Sequence, residues 1–286
     1  MSAVQRLPAR TRRARVNVSS LFGRLALALC ILGWVFPLYW LLNTAFKNKV
    51  DIQSFAPVWF PKTFSLDNFR WVFDNLERGP LLRSVTVVVV SVGISLVFGP
   101  LMAYALSRFK FSKSKDLQFW IITTRMLPPA ALIMPYYFLF NKIGLLNTNL
   151  GLILLYTAIN IPLTTWIMLA YLQGISIEME EAALIDGCTR WGAFRFVILP
   201  AVWSAIAASG LITVILTWNE FFIAFIITSS NITFPVQVST FLATGMNPEY
   251  GNMAAAGVLL SLPPALLAVI FRKQLISGLH AFAGGK

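Results

Sequence analysis

Six stretches of mostly apolar residues recur along the chain, at about Leu25–Phe46, Ser84–Ser107, Leu117–Phe140, Leu150–Leu172, Val202–Thr228 and Ala254–Gln274. Each is near or above the roughly 20 residues that a helix needs to cross the hydrocarbon core of a bilayer. One or two such runs suit the buried helices of a soluble core. Six in one chain predict an all-α, polytopic membrane protein. The first run exceeds the roughly 7–15 residues of a secretory signal core and no small-residue cleavage site follows, so it is read as an uncleaved span.

The polar connectors predict an orientation. Arg6, Arg10, Arg12, Arg13, Arg15 and Arg24 precede or edge the first run, and Arg108, Lys110, Lys113 and Lys115 follow the second. Lys142 alone follows the third, and no Lys or Arg occurs between the fifth run and Arg272. Basic residues mark the cytoplasmic side. Residues 1–24 therefore read as a cytoplasmic basic tail, 25–275 as a six-span domain with a cytoplasmic loop at 173–200, and 276–286 as a cytoplasmic tail. The connector from Lys47 to Arg83 holds six basic residues but is long and carries four acids, so it weighs less. Its "FAPVWFPKTFSLDNFRWVF" predicts packed extracellular structure or an interface.

Composition agrees with this reading. The chain of 286 residues is 57% hydrophobic and 12% charged, against roughly 45–50% and 25% for soluble domains. The net charge of +12 raises nucleic-acid binding, but the charges bracket apolar runs instead of forming one basic face, which argues for no nucleic-acid partner. Cys30 and Cys188 form neither a disulfide framework nor a metal spacing, and His280 stands alone near the end. There is no G-x-x-x-x-G-K-[ST] loop, no H-E-x-x-H and no C-x-x-C. No catalytic residue, metal site or cofactor is expected on this chain.

A transporter without a nucleotide loop draws energy from an ion gradient or from a partner that binds ATP. Gradient-driven carriers place ionisable groups within spans, and here only Arg125 and Glu220 lie at that depth. Glu220, with Trp218, Asn219 and Asn160, is a candidate substrate-pathway patch, since aromatic faces and amides suit sugars. A polar pair packing between helices fits the same residues. Arg125 precedes "MLPP", where prolines free backbone carbonyls; contact with those groups and contact with substrate both remain open.

Four of the eleven acids fall between Glu178 and Asp186, three of them inside "EEAALIDGCTRWGAFRFVILP" (residues 180–200). Strong helix formers run to Asp186, and Gly187 is placed to end the helix in a left-handed conformation. Thr189 is placed to cap a second helix through Trp191, Phe194 and Ile198, with Pro200 opening the next span. Carboxylates beside small apolar residues suit a docking face, and a solvated loop suits the composition equally.

The order of residues separates these readings. E-A-A-x-x-D-G, here Glu181, Ala182, Ala183, Asp186 and Gly187, followed by Phe194 and then Leu199-Pro200, closely resembles the cytoplasmic loop of ATP-binding-cassette importer permeases. "LPPAALIMPYYFLFNKIGLLNT", "WNEFFIAFIITSS", "MAAAGVLLSLPP" and "GLHAFAGGK" resemble the carbohydrate-uptake branch, in particular the shorter six-span subunit of maltose-type and glycerol-phosphate-type systems. The similarity runs from about Gly33 to the C-terminus. Ser176-Ile177 stands where a proline commonly precedes the acidic run, Cys188 where alanine is usual, and Phe282 replaces a glycine of the terminal motif, with Lys286 one place late.

The resemblance implies a permease subunit of a carbohydrate importer in a bacterial cell membrane. Its implied partners are a homologous permease, two ATP-binding-cassette ATPases that bind ATP and Mg, an extracytoplasmic solute-binding protein, the sugar and the lipid bilayer. It implies a coupling helix, with Glu180, Glu181, Ala182, Ala183, Asp186, Gly187, Phe194 and Pro200 serving contact with the ATPase. Glu181 is the expected charge contact, Asp186 and Gly187 shape the turn, and Phe194 and Pro200 fix the loop to the bundle. An ATP-driven importer of an amino acid or peptide, a gradient-driven carrier and a non-transporting scaffold are the alternatives.

Overall fold

In a computed structural model, the described residues are 18–109, 112–243 and 249–274. The arginine cluster at 6–15, Lys110, His280, Phe282, Lys286 and the tail 276–286 lie outside them. The described residues form helices and connectors and include no strand. In chain order they are α1 (Val18–Ala45), α2 (Lys49–Ile52), α3 (Asp67–Asn75), α4 (Arg78–Arg108), α5 (Ser114–Met126), α6 (Pro129–Lys142) and α7 (Asn149–Gln173). After these come α8 (Glu178–Ile185), α9 (Arg190–Ala193), a π-helical turn (Phe194–Ile198), α10 (Leu199–Ala201), α11 (Trp203–Trp218), α12 (Phe222–Ile227), α13 (Phe234–Ala243) and α14 (Tyr250–Ile270).

Four helices are long and apolar enough to cross a membrane unaided: α1 from Gly23, α4, α7 and α14. Six crossings result when two bent pairs are each taken as one span, so the all-α six-span class holds. The expected third span is not straight: α5 and α6 meet at 91°. Pro128 and Pro129 are the cause. A residue before proline is driven out of the α region, and both Leu127 (ψ 125) and Pro128 (ψ 130) are extended, leaving Pro129 to start the new helix. The expected fifth span begins after a 70° turn at Val202 and is interrupted again at Asn219–Phe221. The sixth lies four residues earlier than expected at its start, from Tyr250.

α4 and α7 form the centre of the bundle. Arg83 near the start of α4 reaches Asn149 at the start of α7 (2.9 Å), and Arg108 at the end of α4 reaches Ile175 just past α7 (3.1 Å), so the two run parallel. Apolar solvent offers no hydrophobic drive to associate, so close backbone approach and shared hydrogen bonds hold such helices together. A Cβ added at Gly99 would lie 2.1 Å from Thr164 Oγ1, and the Thr164 hydroxyl bonds the Ser95 carbonyl at 3.1 Å. α11 packs into the groove between α4 and α7, running the opposite way. Its start contributes Ala205 to a buried cluster with Ala103, Met168 and Phe194. α1 lies against α14 but leaves the rest of its apolar surface uncovered by this chain, from Leu25 to Leu38.

Candidate functional site

The connector of residues 174–200 folds as the helix–turn–helix that its residues predict, at the end of the bundle where α4 and α7 terminate. Ser176 Oγ accepts the Glu178 N–H (3.2 Å) at the start of α8. Gly187 takes φ +90°, and the Gly187 and Cys188 N–H groups bond the Leu184 and Ala183 carbonyls at 3.1 and 3.0 Å. That pairing closes the helix end in a Schellman motif, which a Cβ would strain. Thr189 Oγ1 accepts the Gly192 N–H at 3.1 Å and starts α9. The helix then widens into the π turn, whose Phe194 carbonyl accepts from Leu199 N–H.

Two faces result. Inward, Glu180 is 4% exposed. It accepts a hydrogen bond from the Tyr104 hydroxyl of α4 and forms an ion pair, 3.1 Å, with Arg108 Nε. Phe194 is buried with its ring centroid 4.7 Å from that of Tyr104, and Ala183 is buried beside it. Outward, Glu181, Ala182 and Asp186 are exposed together with Met179, Ile185 and Trp191. Bulky apolar side chains beside carboxylates at the end of a bundle form a surface suited to a protein partner.

The sequence grouped Glu180 with the residues offered to the ATPase, whereas here it faces the bundle and ties α8 to α4. Pro200, expected to fix the loop to the bundle, is exposed, and Phe194 and Ile198 fill that place. Tyr104 and Arg108 were not among the candidates. They lie 76 and 72 residues from Glu180, and their i, i+4 spacing at a span's end is the one local signal that they share a face.

The second candidate group lies deeper in the bundle. Asn160 of α7 is buried and donates to Thr217 Oγ1 of α11 (2.8 Å). Trp218 is buried, and its Nε1–H donates to the Leu260 carbonyl of α14 (3.0 Å). Pro264 explains that bond, because it lacks the N–H that would serve the carbonyl four residues earlier. Asn219 is exposed and bonds back to the Ile215 carbonyl (2.8 Å). Glu220 accepts from the Tyr156 hydroxyl (2.7 Å) and from the Ile223 and Ala224 N–H groups (2.9 and 3.2 Å), so its carboxylate caps α12. Asn160, Trp218 and Glu220 thus each bridge separate helices or helix segments. Arg125 donates to the Ile159 carbonyl of α7 (3.3 Å), in the turn that Pro162 loosens.

Comparisons with known proteins agree with this architecture. Residues 95–280 match the family described as "Binding-protein-dependent transport system inner membrane component". The diacetylchitobiose uptake system permease protein DasC of Streptomyces coelicolor is 30% identical, over 92% of this chain and 98% of its own. The trehalose transport system permease protein SugB of Mycobacterium tuberculosis is 28% identical over 86% and 91%. A solved chain of a bacterial ABC transporter involved in the import of the acidic polysaccharide alginate shares the fold, with a TM-score of 0.75 at 20% identity, over 93% of this chain and 99% of that one. The multi-pass bundle, the family match across residues 95–280 and the near full-length relatives place this chain in the family of inner-membrane components of binding-protein-dependent transport systems.

Proposed function

We propose that this chain is one of two permease subunits of an ATP-driven carbohydrate importer, and that it is non-catalytic. A second, homologous permease, two ATPase subunits carrying ATP and Mg, and an extracytoplasmic solute-binding protein complete the assembly. Residues 25–275 are the permease domain, with both tails and the 173–200 loop on the cytoplasmic side. The relatives named for diacetylchitobiose and trehalose support sugar as the cargo.

The single observation that carries the coupling role is the division of α8 into two faces. Glu180 anchors the helix to α4, while Glu181, Ala182 and Asp186 stay free to meet a partner. A helix bonded on one side and open on the other transmits a push or pull to the spans beneath it. Closure of the ATPases around ATP moves α8 and turns the paired permeases outward; hydrolysis returns them. Glu181 is the charge contact, and Gly187 keeps the turn that presents it.

Uptake into membrane vesicles with all subunits co-expressed tests this, comparing wild type with Glu181→Ala and Gly187→Asp while ATPase co-purification is followed. Lost uptake with weakened ATPase retention is expected. Unchanged uptake and retention in both variants would remove the coupling role of this loop.

A further inference from the structure

At the end of the bundle opposite α8, a cavity of about 510 Å³ opens between α1, α2, the 54–58 segment and the start of α14. Pockets of roughly 300–1,000 Å³ with apolar walls and a few placed polar groups are the usual form of a small-molecule site. Trp40 and Leu41 of α1, Val58 of the 54–58 segment and Met253 of α14 form much of the apolar wall, and the exposed rings of Phe55 and Tyr250 stand at its edge.

Two charged side chains belong to the same wall. Lys47 is 3% exposed and Asp51 5% exposed. They stand four residues apart, yet no ion pair within 4.0 Å joins them. The Lys47 ammonium lies instead over the Trp40 ring, 4.4 Å from its centroid, with no hydrogen-bond acceptor among the described residues. One Asp51 oxygen accepts the Lys62 N–H at 3.1 Å. Both residues line the cavity, so the two opposite charges stand within reach of a molecule that enters it.

The pair of charges selects among occupants. An anion would be drawn to Lys47 and repelled by Asp51, and a cation the reverse. A neutral polyhydroxylated molecule donates to the carboxylate and accepts from the ammonium, while the C–H face of its ring packs on an aromatic side chain. We propose that this cavity is a sugar-binding subsite on the outer end of the chain, taking one or two rings of the transported carbohydrate before they reach the spans. The inference rests on the sugar-importer reading and adds to it a place and a residue set, Trp40, Lys47 and Asp51.

The test is saturation-transfer NMR on the assembled complex in nanodiscs, without the solute-binding protein, using trehalose and diacetylchitobiose as probes. Lys47→Met removes the donor, and Met253→Trp fills the cavity from α14 while leaving both charges in place. The signal of at least one probe is expected to fall about tenfold in each variant, the scale of a lost charged hydrogen bond. Absence of signal from the wild type, or a signal retained in both variants, overturns the subsite. Nanodiscs with and without phosphatidylethanolamine form the last arm; protection of the cavity by that zwitterionic lipid alone would make the occupant a headgroup and also overturn it. ATP-driven uptake by the same wild type and variants, reconstituted in closed vesicles with the solute-binding protein added, separates the two readings. If the importer reading fails, wild-type uptake is absent; if only the subsite fails, uptake persists with no effect of the variants on probe signal.

Discussion

Glu180 and Arg108 form a buried ion pair, 3.1 Å from Oε2 to Nε, with side chains 6% and 7% exposed. Those two atoms have no other partner, while the second Glu180 oxygen accepts from Tyr104 and Arg108 also donates to the Ile175 carbonyl, so the pair and these bonds join the loop helix α8 to the end of α4. Removing one member of a buried pair costs about 3–5 kcal/mol, because the other charge is left uncompensated. Glu180→Ala should therefore lower the stability of the complex by about that amount. Pairing it with Arg108→Met should recover a large part, since two neutral side chains leave no buried charge. Thermal unfolding of the single and double variants checks this; equal damage in both would show that the ion pair is incidental.

Gly187 is the second predicted weak point. At φ +90° any residue with a Cβ is strained, and Gly187→Ala should cost about 1–2 kcal/mol. Nothing lies within 4 Å of the Cβ position, so the loss is conformational and not steric. Asn, which tolerates this region better, should restore part of it. Co-purification of the ATPases with the Ala and Asn variants measures whether the turn geometry is what presents Glu181.

Trp218 tests the account of the Leu260 carbonyl that Pro264 leaves without a backbone donor. Trp218→Phe keeps the ring and removes the donor to Leu260, leaving a buried acceptor unpaired at about 1–3 kcal/mol. The added change Pro264→Ala supplies the missing backbone N–H and should make the Trp218→Phe loss much smaller. Melting temperatures of the four proteins in the cycle decide it.

Glu220 separates capping from ion coupling. Glu220→Ala deprives α12 of its cap and Tyr156 of its acceptor, a loss of about 1 kcal/mol or more. Glu220→Gln keeps an acceptor oxygen and should be milder. If the carboxylate serves only α12, vesicle uptake of each variant will follow the amount of folded complex. Abolished uptake in a fully folded Gln variant would instead point to a coupled ion.

Lys47 supplies a pH prediction. Burial holds its ammonium below the ordinary value of 10.5, with Asp51 opposing part of the shift. Between the lowered folded value and 10.5 the unfolded chain holds more protons, so this group adds stability as pH rises through that window. Below the folded value its penalty is constant. Lys47→Met should flatten the rise, read as the melting temperature of the complex across the alkaline range below 10.5.

The connector was the most legible part of the chain because its signals are local. Gly187 closing a helix and Thr189 opening the next both follow from which residues tolerate those backbone states, and both are found. The expected partners of that loop were less legible. Glu180 and Glu181 are adjacent and chemically alike, and only the direction of each on α8 sends one toward Arg108 and the other outward. The 91° break between α5 and α6 was signalled by Pro128-Pro129, yet the apolar run through it concealed the break, since hydropathy carries no direction.

By itself the sequence determined the class of solvent, the number of apolar runs and the backbone punctuation at Gly187, Thr189 and the proline pairs, because these depend on single residues and their near neighbours. The tertiary structure decided which long-range polar partners meet: Glu180 with Tyr104 and Arg108, Glu220 with Tyr156, Trp218 with Leu260. It also held Lys47 and Asp51 on one cavity wall without pairing them. Such meetings depend on helix rotation and close approach at Gly99 and Thr164, quantities that arise only when the whole bundle packs.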